Sequence, residues 1–201
     1  MGEYDRPCKI CGKPVRSDCA DVCYRCSRKL AADAEARKEA AYREEQQARI
    51  LGFKLRIELV PSPLWYRNVR SEVDQETWDM LRKKVYKDAG YRCQICGHQG
   101  RMFCHEIWQY DDKAHIQKLV GFEAICQWCH RVHHIGLAGI QLSREEYNSL
   151  IRHFKRVNGC SYEDFVLARD LAFELWEQRS EFEWSQDMSA LEACQVALNC
   201  R

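Results

Sequence analysis

Eight of the thirteen cysteines in this 201-residue chain fall into four CxxC pairs: Cys8 and Cys11, Cys23 and Cys26, Cys93 and Cys96, Cys126 and Cys129. No other feature restricts the fold as much. Two explanations compete for so many cysteines, disulfides in a secreted protein or metal ligation in an intracellular one. The opening MGEYDRPCKICG has no apolar run before its first cysteine, so it is not read as a secretory signal. A disulfide scaffold has no reason to prefer CxxC. A tetrahedral zinc site does, because that turn presents two thiolates to one ion. The expectation is a cytoplasmic, zinc-rich protein. No membrane partner is expected, since no apolar stretch approaches the ~18 residues of a span.

The pairs group into two tetrads by distance along the chain. Cys8, Cys11, Cys23 and Cys26 lie in CKICGKPVRSDCADVCYRC, with eleven residues between the pairs and Cys19 spare or able to exchange with Cys23. The stretch resembles a short zinc ribbon or treble-clef knuckle. It has too little apolar surface to fold unaided, so a bound ion would supply the folding energy. Such a finger docks a nucleic acid or a protein, or serves only as a folded cap. Cys93, Cys96, Cys126 and Cys129 form the second tetrad across 29 intervening residues. Zinc there would pin a hairpin turn to the start of a helix. Two structural zinc ions are therefore expected.

A mean hydropathy of −0.57 with 30% charged residues argues for modest cores, hence an α+β chain of small modules. Residues 1–29 are the finger and 30–51 a helical linker. The linker sequence is rich in Ala, Glu, Arg and Gln without Gly or Pro, so a helix over about 28–51 is expected. Its alanine-dominated apolar positions suit a solvated spacer better than a coiled-coil partner surface. Residues 52–140 form the metal-bearing domain. FKLRIELV alternates like a strand and breaks at Pro61 and Pro63. DQETWDMLRKKVYKDAG then reads as an amphipathic helix whose Arg82, Lys83, Lys84 and Lys87 make a basic face, either solvated or in contact with phosphate. Residues 141–188 carry two capping boxes, Ser143 with Glu146 and Ser161 with Asp164. They predict a helical hairpin packing Phe165, Leu171, Phe173, Leu175 and Trp176. Residues 189–201, with Cys194 and Cys200, show no motif. The net charge of +1 excludes a whole-molecule field for nucleic acid. Residues 1–50 and 51–140 carry +2 and +3 against −4 for the remainder, which puts any such contact in the first two segments.

The stretch ICQWCHRVHHIG follows the last pair with three histidines. His130 and His134 stand four apart, on one face of a helix. A four-cysteine site has no use for them, so they suit a second divalent ion with open positions. His133 is out of phase with both and is read as a bystander. The opposite wall is expected on the strand FCHEIW, bearing Cys104, His105 and Glu106.

CxxC, a strand histidine, then CxxCH with a histidine four residues on resembles the HNH endonuclease family over roughly residues 91–139. That resemblance implies a ββα-metal fold with His105 as the general base and His130 with His134 holding a catalytic Mg, Mn, Ni or Zn ion. It also implies double-stranded DNA as the partner, cut or nicked by phosphodiester hydrolysis, and a phage or phage-defence origin. A protein partner through the finger or the linker is the further expectation. Two positions depart from the family pattern. Cys104 stands where an acidic or histidine ligand is common, and as a thiolate ligand it would favour zinc over magnesium. The family's asparagine falls on Gly121. Glu106, Asp111 or Asp112 could supply the missing carboxylate, although strand alternation turns Glu106 to the other face. The alternative function is a catalytically inactive zinc module that docks DNA or a protein; an RNA-directed factor using the finger ranks third.

Overall fold

The computed structural model describes residues 4–16 and 21–191. Cys19, Cys194 and Cys200 lie outside them, as does all of the tail beyond Leu191. The fold is mixed α+β with two small sheets, and the chain divides into two compact units, Met1–Arg49 and Ile50–Arg201.

In the first unit β1 (Tyr4–Pro7) pairs antiparallel with β2 (Pro14–Arg16). The turn between them closes through Cys8 N donating to Lys13 O and Gly12 N to Cys8 O, with Gly12 at φ +69°. That left-handed position is one glycine fills without strain. The helix α1 (Tyr24–Leu51) starts four residues earlier than expected. Ser27 N already bonds Cys23 O, so Cys23 and Cys26 sit at the helix N-terminus, where the dipole favours thiolates. The helix is exposed or half-exposed until Ile50, as an alanine-rich face would leave it.

In the second unit the strand expected of FKLRIELV does not form. Residues 53–60 join no sheet among the described residues. Their backbone finds side chains instead. Asn158 accepts from Leu55 N and donates to Leu55 O, both at 2.9 Å, so one amide replaces a neighbouring strand. Val60 O accepts from the indoles of Trp65 and Trp176. Removing the amide strands a buried N–H and C=O at a residue with no exposure. Asn158→Ala is therefore expected to destabilise this unit by about 2–4 kcal/mol, read as a lower urea midpoint. Asn158→Asp, which keeps the acceptor, should fall between.

A 3₁₀ turn (Ser62–Leu64) leads to α2 (Val69–Glu72) and α3 (Gln75–Asp88), capped by Asn68 and Asp74. The long hairpin of β3 (Met102–Asp111) and β4 (Ile116–Cys126) runs in register from Met102 opposite Cys126 to Asp111 opposite Ile116, with a bulge after Ile107. Next come α4 (Gln127–His133), α5 (Ile135–Gln141), α6 (Arg144–Asn158) and α7 (Tyr162–Ser180). The last two carry both expected capping boxes. Finally β5 (Ser185–Asp187) adds parallel to β4.

Two cores flank the hairpin. Ile125, Val132, Leu150, Phe154 and Phe165 lead the larger one; Leu171 and Phe173 pack against it. Leu175, expected inside, is 41% exposed, because α7 packs at only part of its circumference. The smaller core joins Val69, Trp78, Leu81 and Leu119 with Leu191, so the segment that showed no motif begins inside the fold. Among the described residues, no helix is long and apolar enough to cross a membrane.

Candidate metal centres

Both tetrads assemble. Tetrahedral zinc with Zn–S bonds of ~2.3 Å needs sulfurs about 3.8 Å apart. Cys11 and Cys23 stand at 3.7 Å, Cys93 and Cys129 at 3.7 Å, and Cys96 and Cys126 at 3.6 Å. In each tetrad all four sulfurs lie within 4.8 Å of one another. Knuckle geometry supports them: Cys23 N donates to Cys8 Sγ and Cys96 N to Cys93 Sγ. The electrostatics ask for a cation. Hydrogen bonds from Cys126 and Cys129 hold the Cys93 thiol far below its usual range, while Cys126 and Cys93 push Cys129 far above it. Four thiols this close cannot all ionise without a cation between them. These clusters could hold two zinc ions.

His153 on α6 was not anticipated. It is buried, with Nε2 3.2 Å from Cys129 Sγ and Nδ1 3.0 Å from the Arg156 guanidinium. A guanidinium only donates, so Nδ1 accepts and Nε2–H donates to the sulfur. Such an outer bond orients a ligand and offsets thiolate charge. In sequence its only sign was a histidine on the inward face of an amphipathic helix.

A third centre lies where β3, β4 and α4 meet. His105 packs against three histidine rings, with centroids 4.5 Å from His133, 5.3 Å from His134 and 5.6 Å from His130; His130 and His134 are 4.6 Å apart. The bystander reading of His133 is thus overturned. It is buried, and among the described residues neither of its ring nitrogens has a hydrogen-bond partner, nor does His105 Nδ1. Cys126, Cys129 and His133 are spaced i, i+3, i+7, so the face that carries the cysteines inward carries His133 with them. His130 and His134 reach the same space from the adjoining stripe, helped by the break at His134 between α4 and α5 (φ −99°, ψ 43°).

The carboxylate comes from a residue not anticipated. Glu123 pairs with His105 across the hairpin, and its Oε1 lies 3.6 Å from His105 Nδ1 and 3.7 Å from His133 Nε2. Donor atoms of His105, Glu123 and His133 all lie within 4.8 Å of one another. In sequence, Glu123 is the one charged residue in LVGFEAICQW, a signal that register alone could interpret. The other candidates are engaged elsewhere. Glu106 accepts from Val69 N, Asp111 from Lys113 N and Ala114 N at the hairpin turn, and Asp112 pairs with Arg179. Gly121 faces Ile107 and offers no side chain. Cys104, expected as a possible ligand, packs into the smaller core, and burial pushes its thiol up to about 12. Strand alternation sends it away from His105.

Burial holds His130 down to about 3, with His134 and His105 adding like-charge repulsion; burial likewise holds His134 down to about 4. Both stay neutral, with lone pairs free, well below the usual imidazole range. At pH 5.5 an ordinary imidazole is about nine-tenths protonated, a loss near tenfold per ligand. Ion uptake here is expected to change less than about threefold between pH 7.5 and 5.5, against roughly a hundredfold for two ordinary histidines. Calorimetric titration with Ni or Mn at both pH values checks this.

The basic stripe on α3 is partly neutralised. Arg82 pairs with Asp79 at 2.6 Å and Lys84 with Asp88, whereas Lys83 and Lys87 are exposed. If the stripe meets DNA, Lys83→Ala with Lys87→Ala should flatten the log–log salt slope by nearly two units, about 0.9 per phosphate. Arg82→Ala with Lys84→Ala should change it by less than one. No protein-family model, no curated protein and no solved structure matches this chain.

Proposed function

We propose that the chain is a metal-dependent HNH-type endonuclease that hydrolyses or nicks DNA, of phage or phage-defence origin. Its modules would be an N-terminal zinc ribbon or treble-clef knuckle, a helical spacer, a ββα-metal core and a C-terminal helical hairpin. One observation carries the reading. Four imidazoles and a carboxylate converge where two antiparallel strands meet a helix, beside a four-cysteine pin.

His130 and His134 would hold the divalent ion through neutral nitrogens. Bound there, the ion would neutralise the scissile phosphate and stabilise the leaving 3′-oxygen. Imidazole and carboxylate donors suit Zn, Ni or Mn better than Mg. His105 takes the proton of the attacking water. Glu123, beside Nδ1, orients that ring and leaves Nε2 for the water, which is the part the family resemblance gives to the asparagine position. A supercoiled-plasmid assay with Mg, Mn, Ni and Zn in turn tests this. Open circles are expected with at least one of Mn, Ni or Zn, and no nicking with any of the four would sink the nuclease.

A second reading rests on the close donor set of His105, Glu123 and His133. An ion held there would occupy the lone pair of the base, leaving a non-catalytic module that docks DNA or a protein. Elemental analysis separates the two. Three firmly held ions without nicking mean the module; two firm ions and one exchangeable ion mean the nuclease.

A further inference from the structure

A cavity of about 600 Å³ opens beside the histidine centre, and His134 lines it. Its walls are mainly apolar: Trp65, Tyr66, Leu137, Ile140 and Trp176, with Arg67 and Glu58 also on the lining, the Glu58 carboxylate being paired with Arg56 at 3.2 Å. The aromatic wall is held by stacking and by two hydrogen bonds. Trp65 and Trp176 stack at 6.1 Å and 17°, and both donate their indole N–H to the same carbonyl, Val60 O, at 2.9 and 3.1 Å. With both donors used inward, the wall offers ring faces and no indole hydrogen bond. Trp65 is still 50% exposed although Trp176 covers one face, and Tyr66 is 91% exposed. Tyr66 also sits at φ +72°, a left-handed conformation that costs a bulky residue energy. Ile140, across the cavity, is 85% exposed.

We propose that this cavity is a subsite for one unpaired nucleobase of the strand whose phosphate lies at the histidine centre. The proposal rests on the phosphodiesterase reading above. The occupant must bring a flat ring with apolar faces to Trp65 and Tyr66, and an anionic group on the same unit toward His134 and Arg67, which line the same cavity. A nucleotide joins those two parts in one unit; an apolar peptide side chain supplies only the first. Recognition by ring faces tolerates any base. A base in an intact duplex would first have to leave its stack, so single-stranded or mispaired DNA is favoured.

Binding, not cleavage, tests this. The full zinc-loaded chain, with no further divalent ion added, is titrated against a ten-nucleotide single strand carrying 2-aminopurine and against the matching duplex. The single strand is expected to bind with quenched 2-aminopurine emission. Tyr66→Ala, at a side chain too exposed to disturb the fold, should weaken it about tenfold and change duplex affinity less than threefold. Tyr66→Phe should restore binding. Unchanged single-strand affinity in Tyr66→Ala and in Trp65→Ala overturns the subsite, and so does an equal loss for both DNA forms. A concentration-dependent dimer abolished by Ile140→Glu would also overturn it, making the wall a contact between copies. Because no cleavage is read, a chain that never nicks leaves these outcomes intact. Intact nicking without quenching would overturn the subsite alone.

Discussion

Replacing His105 by alanine is expected to lower plasmid nicking by roughly 10²- to 10⁴-fold, the usual worth of a positioned general base. Fold, zinc content and DNA affinity should be retained. The reason is local. His105 lies on β3 within reach of three other imidazoles and outside the two cysteine tetrads. Truncating it removes a ring and leaves the pin. Glu123→Gln should cost less, about tenfold, because the neutral amide still fills the place beside Nδ1 but no longer stabilises the charged imidazolium. His134→Ala should instead lose the exchangeable ion. Rates would be compared at saturating Mn or Ni with zinc content measured on the same samples. A His105→Ala protein as active as the parent would end the assignment.

The largest effect on stability is expected from Cys129→Ser. Cys129 has no exposed surface, stands 3.7 Å from Cys93 Sγ, and receives the His153 N–H. A structural zinc contributes about 10–16 kcal/mol of apparent binding energy in small zinc-folded peptides, whereas a whole domain is stable by only about 5–15 kcal/mol. Losing the ion therefore exceeds what the rest of the second unit can offset. Circular dichroism and tryptophan emission should report that unit unfolded at 25 °C, with one zinc retained by the first tetrad. Cys104→Ser, at a half-buried thiol outside both tetrads, should cost only about 1–2 kcal/mol. A Cys129→Ser protein that melts cooperatively with two zinc ions would show that the second tetrad is not a metal site.

The metal donors were unequally legible in the chain. CxxC is a local signal, since three residues of turn bring two sulfurs together whatever surrounds them. The helix caps at Ser143 and Ser161 are equally local, and so is the helical character of residues 28–51. Pairing one CxxC with another across 29 residues needed only the chemistry of a four-coordinate ion. None of this depends on which elements touch.

The histidine centre does depend on it. His133 was dismissed by helical phase relative to His130 and His134, but the relevant phase is that of Cys126 and Cys129, which turn toward the hairpin. Glu123 has no motif; it faces His105 because the strand register aligns Met102 with Cys126, and a slip of one residue would send it to the smaller core. Cys104 was drawn into the site by the family pattern, which puts a ligand next to the base, and here adjacency on a strand means opposite faces. FKLRIELV has a strand's alternation without a strand's partner, because Asn158, more than a hundred residues away, satisfies its backbone first. Composition and spacing determined which atoms could hold metal, because thiolate and imidazole chemistry belongs to the residue. Which of them meet was decided only by the tertiary structure, because register and helix rotation are set by packing across the whole second unit.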